Sequence, residues 1–340
     1  MPTRSTSEDV ARAAGVSRAT VSYVLNGRTD VSITEATRVR VQQAVADLDY
    51  HPNASARQLA GARSQTIALI FRTSSVHLAV EGPTAQFLEG LRAMIRSADY
   101  QLLVEALSPG DRSYDNLYGS GRVDGVIISG PAVEEAAVSR MSEGGAPIVI
   151  HGGVVDPLVP SVDVDNVAAA REAVNFLVEL GHRRIGCITH APLTYIAAVD
   201  RLWGYRQAMA EVGAAHDDRL VVEGNFEASS GFDAATLLLQ RRPELTAIFV
   251  CNDALAIGAI SAIRAAGRRV PDDVSVVGFD DSALAQYFDP PLTTVRLPAF
   301  ELGRICGSVL LDRIAGKPVP ARTLLPTELI VRQSCISPDV

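Results

Sequence analysis

The apolar positions along this chain follow two rhythms, and the change falls near residue 65. Before it they recur at helical spacing. Val10, Ala13 and Ala14 offer one small apolar face, Val21 and Leu25 sit four apart, and Val41, Ala44, Val45 and Leu48 form a stripe. Local start and stop signals bracket these runs. Thr6, with a carboxylate three residues on, has the form of a capping box; Ser17 is placed to cap a second helix; Gly15 and Asn26-Gly27 tolerate the left-handed backbone that ends one. The pattern predicts helices starting near Ser7, running from Ser17 to Leu25, and running from Thr34 to Leu48. Two short helices joined by a glycine-containing turn have the outline of a helix-turn-helix, which a plain structural hairpin shares.

After Thr66 short apolar runs alternate with amphipathic stretches. The runs are TIALIF (66–71), YQLLVEA (100–106), VDGVIIS (123–129), PIVIH (147–151), RIGCIT (184–189), RLVVEG (219–224), TAIFV (246–250) and VSVVGF (274–279). Helix-like segments at 83–98, 166–180, 200–212, 229–241 and 254–266 fall between or beside them. Such alternation predicts parallel sheets with crossover helices. About 275 residues is long for one open sheet, so two similar lobes are expected. The tail predicts one more helix (298–315) and a single final strand (323–331).

Charge sharpens the division. The chain carries a formal net charge of −8 over 340 residues, but residues 1–64 hold eight arginines against six acids, +2, leaving −10 for the rest. A slightly basic head on an acidic body suits contact with phosphates at one end, although an imbalance of two also fits chance. The outward positions of the second helix, Ser17, Arg18, Ala19, Ser22, Tyr23 and Asn26, are polar or small, as a helix entering a major groove requires.

Several classes are excluded or left without support. No run of 18 apolar residues marks a membrane span, and the N-terminus has no apolar core of a signal peptide. Cys187, Cys251, Cys306 and Cys335 stand alone, so they read as reduced structural thiols of a cytoplasmic protein, with no metal expected. TIALIF is not followed by GxGxxG, and GxxxxGK[ST], HExxH and GxSxG are absent. No catalytic residue and no cofactor are expected.

The string SEDVARAAGVSRATVSYVLNG resembles the N-terminal signature of the lac repressor (LacI/GalR) family of bacterial regulators, and YHPNASARQLAG resembles that family's hinge-helix signature. Similarity continues through VELGHRRIG (178–186), RLWGY (201–205), AIFVCNDALAIGAISAI (247–263), VSVVGFDD (274–281), PPLTTV (290–295) and LPTELIVR (325–332). The resemblance implies an all-α helix-turn-helix head on an α/β body of two doubly wound parallel-sheet lobes, of periplasmic-binding-protein-like type. It implies a DNA-binding domain over 1–50, a hinge and linker over 51–65, and an effector-binding and dimerisation domain over 66–340. Lobe one is expected at 66–162 plus 296–322, and lobe two at 163–295 plus 323–340.

Roles follow by position. The resemblance places Thr6, Ser17, Arg18, Ala19, Ser22, Tyr23, Asn26, Asn53, Arg57 and Leu59 on DNA, with Leu59 as the wedge that opens a minor-groove step. Tyr23 departs from the family's common arginine, and a phenol cannot fork onto guanine. In the body, ligands of open parallel sheets sit at strand carboxyl ends. Phe71, Ser129, His151, His190, Phe226, Asn252 and Asp280 fall there, with Ser74 a further candidate in the loop after the first strand, and the resemblance marks Arg201, Phe226, Asn252 and Asp280 as effector contacts. For Asn252 a helix cap, and for Asp280 a turn cap, are the competing readings. An arginine, an aspartate and an aromatic together suit a sugar. The expected partners are thus a double-stranded DNA operator, a small-molecule effector such as a sugar, and a second copy of the chain; no membrane is among them. Two alternatives stay open: a corepressor-dependent regulator sensing a nucleobase or other small metabolite, and a sugar-binding protein without DNA activity.

Overall fold

The computed structural model describes residues 5–25, 31–50, 63–72, 82–107, 111, 115–133, 136–154, 156–213 and 217–338. By its internal packing the chain divides into two units, Met1–Ser64 and Gln65–Val340.

The first unit holds α1 (Ser7–Ala14), α2 (Arg18–Leu25) and α3 (Glu35–Asp47). Each begins on a side-chain cap. The Thr6 hydroxyl accepts the Asp9 N–H at 3.3 Å while the Asp9 carboxylate accepts the Thr6 N–H at 3.0 Å, completing the box. Ser17 Oγ accepts the Thr20 N–H, and the Thr34 hydroxyl accepts the Thr37 N–H. Gly15, at φ 65°, ends α1 in the left-handed region that a side chain would strain. The core is Val10, Ala11, Ala14, Val21, Val24, Val41 and Ala44, with Leu25, Val45 and Leu48 packed on its rim. Ala11 thus takes the inward place expected for Ala13, which is exposed. The stripe that α1 turns toward α2 and α3 runs through Val10, Ala11 and Ala14.

The second unit is built on two six-stranded sheets. The first contains β1 (Thr66–Phe71), β2 (Gln101–Ala106), β3 (Gly125–Ser129), β4 (Ile148–His151), β5 (Ser161–Val164) and β11 (Arg322–Leu325), in the order β11-β5-β4-β3-β1-β2. The second contains β6 (Ile185–Thr189), β7 (Val221–Glu223), β8 (Ala247–Val250), β9 (Ser275–Asp280), β10 (Thr293–Arg296) and β12 (Glu328–Ile330), in the order β12-β10-β9-β8-β6-β7. Both have one doubly wound plan. All neighbours are parallel except β10 and β12. β1, β3, β8 and β9 are buried along their length, as strands covered on both faces must be.

Helices α4 (Thr84–Arg96), α5 (Asp115–Gly119), α6 (Ala136–Glu143) and α11 (Ala299–Ile314) serve the first sheet. Helices α7 (Asn166–Glu179), α8 (Ile196–Glu211), α9 (Ala228–Arg241) and α10 (Asp253–Ala265) serve the second. Each sheet has its apolar cores, with Ile67, Leu69, Phe87, Leu91 and Leu310 in one lobe and Leu177, Phe249, Val277 and Phe279 in the other. α4 and α11 cross closely because a Cβ on Gly90 or Gly303 would collide with the Phe300 or Phe87 carbonyl.

The chain passes between the sheets three times: from β5 to α7, from β10 to α11, and from β11 to β12. The last passage corrects the expectation of one strand over 323–331. Pro326, with no N–H to donate, breaks the run, and the two pieces join different sheets. β5 and β10 were not expected as strands, since SVDV and TTVR are short and half polar. On one lip of the cleft the sheets' loops also meet: the Val133 N–H donates to the Thr194 carbonyl at 2.7 Å, and Ala132 forms a bridge with Tyr195.

Candidate functional site

In the first unit, α2 turns Val21 and Val24 inward and leaves Ser17, Arg18, Ala19 and Ser22 exposed; Tyr23 is half-buried. Thr6 is exposed at the start of α1. This surface carries one guanidinium, three hydroxyls of Thr6, Ser17 and Ser22, and a methyl. Those groups match the acceptors and methyl groups of a major groove and the phosphates beside it. Asn26, Asn53, Arg57 and Leu59 lie outside the described residues.

In the second unit a cavity of about 160 Å³ opens between the carboxyl ends of the two sheets. From the first sheet come Phe71 at the end of β1, Ser129 at the end of β3 and His151 at the end of β4. From the second come His190 after β6, Asn252 after β8 and Asp280 at the end of β9, with Arg201 from α8 and Phe226 from the loop before α9. This is the switch-point position, where neighbouring connections leave a sheet in opposite directions.

The polar groups form one network. Arg201 is buried; its Nε donates to Asn166 Oδ1 at 2.9 Å, one terminal nitrogen donates to the Cys251 carbonyl at 2.6 Å, and that nitrogen stands 3.9 Å from an Asp280 oxygen. Its guanidinium carbon lies 3.7 Å above the Phe279 ring. Asn252 is the cap of α10, its Oδ1 accepting the Leu255 N–H, and its Nδ2 donates to Asp280 at 3.1 Å. Asp163, at the end of β5, accepts the Val164 N–H and the Asn166 amide, and burial pushes its carboxyl up to about 6.

The apolar walls are aromatic. His151 stacks on Phe87 at 4.1 Å between centroids, and its Nδ1 is 2.8 Å from Ser129 Oγ. Burial pushes the His151 imidazole down to about 4. His190 and Tyr195 meet the Phe226 ring edge-on at 5.8 and 5.2 Å. Burial, and then the Arg201 charge, hold His190 well below the ordinary histidine range. Phe226 sits at φ 63°, uncommon for an aromatic, and so presents its ring to the cavity.

Residues 6–53 match the family described as bacterial regulatory proteins, lacI family, and residues 174–335 match a periplasmic binding protein-like domain. The chain is 38% identical to the HTH-type transcriptional regulator CelR of Thermobifida fusca over 338 residues, which is 97% of this chain and 98% of that one. This chain belongs to the LacI family. Among solved structures it is similar to a CelR–cellobiose complex, with TM-score 0.76 and 37% identity over 97% of this chain and all of that one. It is also similar to the lac repressor dimer bound to operator and the anti-inducer ONPF, with TM-score 0.84 and 30% identity over 98% and 99%. LacI-family proteins are transcriptional regulators that bind operator DNA and a small effector, and they act as dimers. The relatives are regulators rather than enzymes. Among the described residues no helix is long and apolar enough to cross a membrane.

In this LacI-family chain the structure gathers seven of the eight expected effector residues, Phe71, Ser129, His151, Arg201, Phe226, Asn252 and Asp280, around one cavity; Ser74 lies outside the described residues. Sequence reasoning missed Phe87, Asp163, Asn166 and Tyr195 as cavity-lining residues. Phe87 reads as core, four residues before Leu91 on one helix face. Asp163 lies in an unrecognised strand and Asn166 just after it, and Tyr195 sits in a loop with no strand-end signal. Only Asp165, followed by Asn166 at the start of α7, hints at a capped helix end beside the cleft.

Proposed function

We propose that the chain is a homodimeric repressor that leaves an approximately palindromic operator when a sugar occupies the cleft. Ser17, Arg18, Ala19 and Ser22 are the reading surface of α2, with Thr6 on phosphate and Tyr23 setting an operator preference of its own. Asn26, Asn53, Arg57 and Leu59 complete the DNA contacts by resemblance. The observation that carries the sugar reading is the joining of a buried Arg201–Asp280–Asn252 network with aromatic rings at one cavity. Planar polar forks pair with vicinal hydroxyls, and ring faces cover the apolar face of a pyranose. The likeness to the CelR–cellobiose complex supports this.

We take the lobes as 66–162 plus 296–322 and 163–295 plus 323–340, with the junctions adjusted to the strands: β5 and β11 go with lobe one and β10 with lobe two. Effector binding favours one arrangement of the lobes, and operator affinity follows because the two arrangements bind DNA differently. A site inside the cell is the compartment this role requires.

The test has two arms. Purified protein is expected to shift a duplex taken from upstream of its own gene, and cellobiose is expected to raise the thermal midpoint and release that duplex. A thermal shift without any DNA binding would point to a sugar-binding protein; tightening of the DNA complex by ligand would make the sugar a corepressor.

A further inference from the structure

The cavity carries two half-buried imidazoles, one from each lobe, and both are sparsely hydrogen-bonded among the described residues. His151 uses one ring nitrogen on Ser129 Oγ, and that is the only hydrogen bond of its ring among the described residues. His190 lines the same cavity, and its Nδ1 is buried with no hydrogen-bond partner among the described residues. A buried polar atom left unpaired is destabilising, and the exposed part of the same half-buried ring is what a ligand in the cavity can meet. Each ring is backed by a phenylalanine, Phe87 behind His151 and Phe226 beside His190, which fixes the ring planes.

The charges around the cavity argue in the same direction. Arg201 divides its donors between Asn166 and the Cys251 carbonyl and lies beside Asp280, and Asn252 also donates to Asp280. Arg72 donates to the Leu107 and Asp111 carbonyls. These cations are held by lobe backbone and neighbouring side chains. The two histidines, kept neutral by burial, add no positive charge to the walls.

We propose that His151 and His190 are specificity determinants that select an uncharged, hydroxyl-rich ligand, each imidazole exchanging hydrogen bonds with a ligand hydroxyl from opposite lobes. The site therefore takes a neutral saccharide and rejects sugar phosphates and nucleotides. This rests on the sugar reading above and narrows it. The free nitrogen of a neutral imidazole donates to or accepts from a hydroxyl, whereas a phosphate brings acceptors only and a charge that neutral rings do not offset.

Calorimetric titration of the full chain with cellobiose, glucose, glucose 6-phosphate and adenosine 5′-monophosphate tests the proposal. The wild type is compared with His151→Phe and His190→Phe, which keep a ring and lose both polar atoms. His151→Gln and His190→Asn restore an amide near the relevant nitrogen. His151→Ala and His190→Ala add no volume, and carry the comparison if a phenylalanine variant fails to fold by circular dichroism. The expected result is that a neutral sugar binds, that each Phe or Ala variant loses about tenfold or more, and that the amide variants recover to within about threefold of wild type. Neither anionic compound is expected to bind. A sugar that binds the folded Phe and Ala variants as well as wild type overturns the proposal and leaves the sugar reading standing. Tighter binding of glucose 6-phosphate than of glucose also overturns it alone. Absence of binding by both neutral sugars counts against the sugar reading and the proposal together.

Discussion

At the residue scale, Arg201 shows how one side chain serves structure and site together. Its donors join Asn166 at the start of α7 and the Cys251 carbonyl just after β8, and its charge faces Asp280 at the end of β9. Lysine offers a point charge in place of a planar fork, so Arg201→Lys leaves two of these acceptors poorly paired in a buried place. The expected cost is about 2–4 kcal/mol of unfolding free energy in urea, with loss of sugar binding. A second prediction concerns pH. His151 stands at about 4 in the folded chain against an ordinary 6.5, so the unfolded chain takes up its proton first as pH falls. The stability this group contributes is present above 6.5 and is lost on going down to about 4. Asp163 and Asp253, both raised to about 6 by burial, act with the opposite sign: their contribution is fullest below 3.8 and is lost as pH rises through 6. Comparing His151→Phe with wild type cancels the aspartates. Wild type is expected to lose up to about 3 kcal/mol relative to the variant between pH 7 and pH 4. A constant difference across that range would remove the assigned shift.

At the element scale, capping signals were the most legible. Thr6 with Asp9, Gly15, Ser17 and Thr34 mark helix ends in the sequence, and each does so in the structure, because a cap is satisfied by residues three or four away. Strand existence was legible where a continuous apolar run of three or more residues marks it, as in β1, β3, β8 and β9. β5, β10 and the division of β11 from β12 were not, because their strand state is enforced by neighbours that lie far away in sequence. Helix–helix approach was equally hidden. Gly303 meets the Phe87 carbonyl across the α4–α11 crossing, so Gly303→Ala forces those helices apart. A loss of about 1–3 kcal/mol in denaturant stability is expected; a change within 0.5 kcal/mol would show that the crossing relaxes freely.

At the scale of the whole molecule, the repeated plan of the two sheets creates the cleft. Each sheet places its strand carboxyl ends at one edge, and the three passages of the chain bring those edges face to face. The head has its own core, which suits a separate DNA reader. Operator binding is expected to weaken steeply with salt, since arginine contacts to phosphate release counterions. Leu59→Ala is expected to weaken operator binding by about tenfold or more and reduce duplex bending, with cellobiose affinity unchanged. Gel shifts at two salt concentrations, together with a bending assay, check both.

The sequence alone determined the split at residue 65, the helix caps, the β-α alternation and the family, since each is written in residues close together in the chain. It also pointed to most cavity residues, because strand ends are visible as the last residue of an apolar run. The tertiary structure alone decided that Phe87 faces a cavity, that Asn252 caps and reaches Asp280 at once, and that His151 and His190 line one site from opposite lobes. Those facts depend on contacts between segments 20 to more than 100 residues apart, which form only when both sheets are folded and brought together.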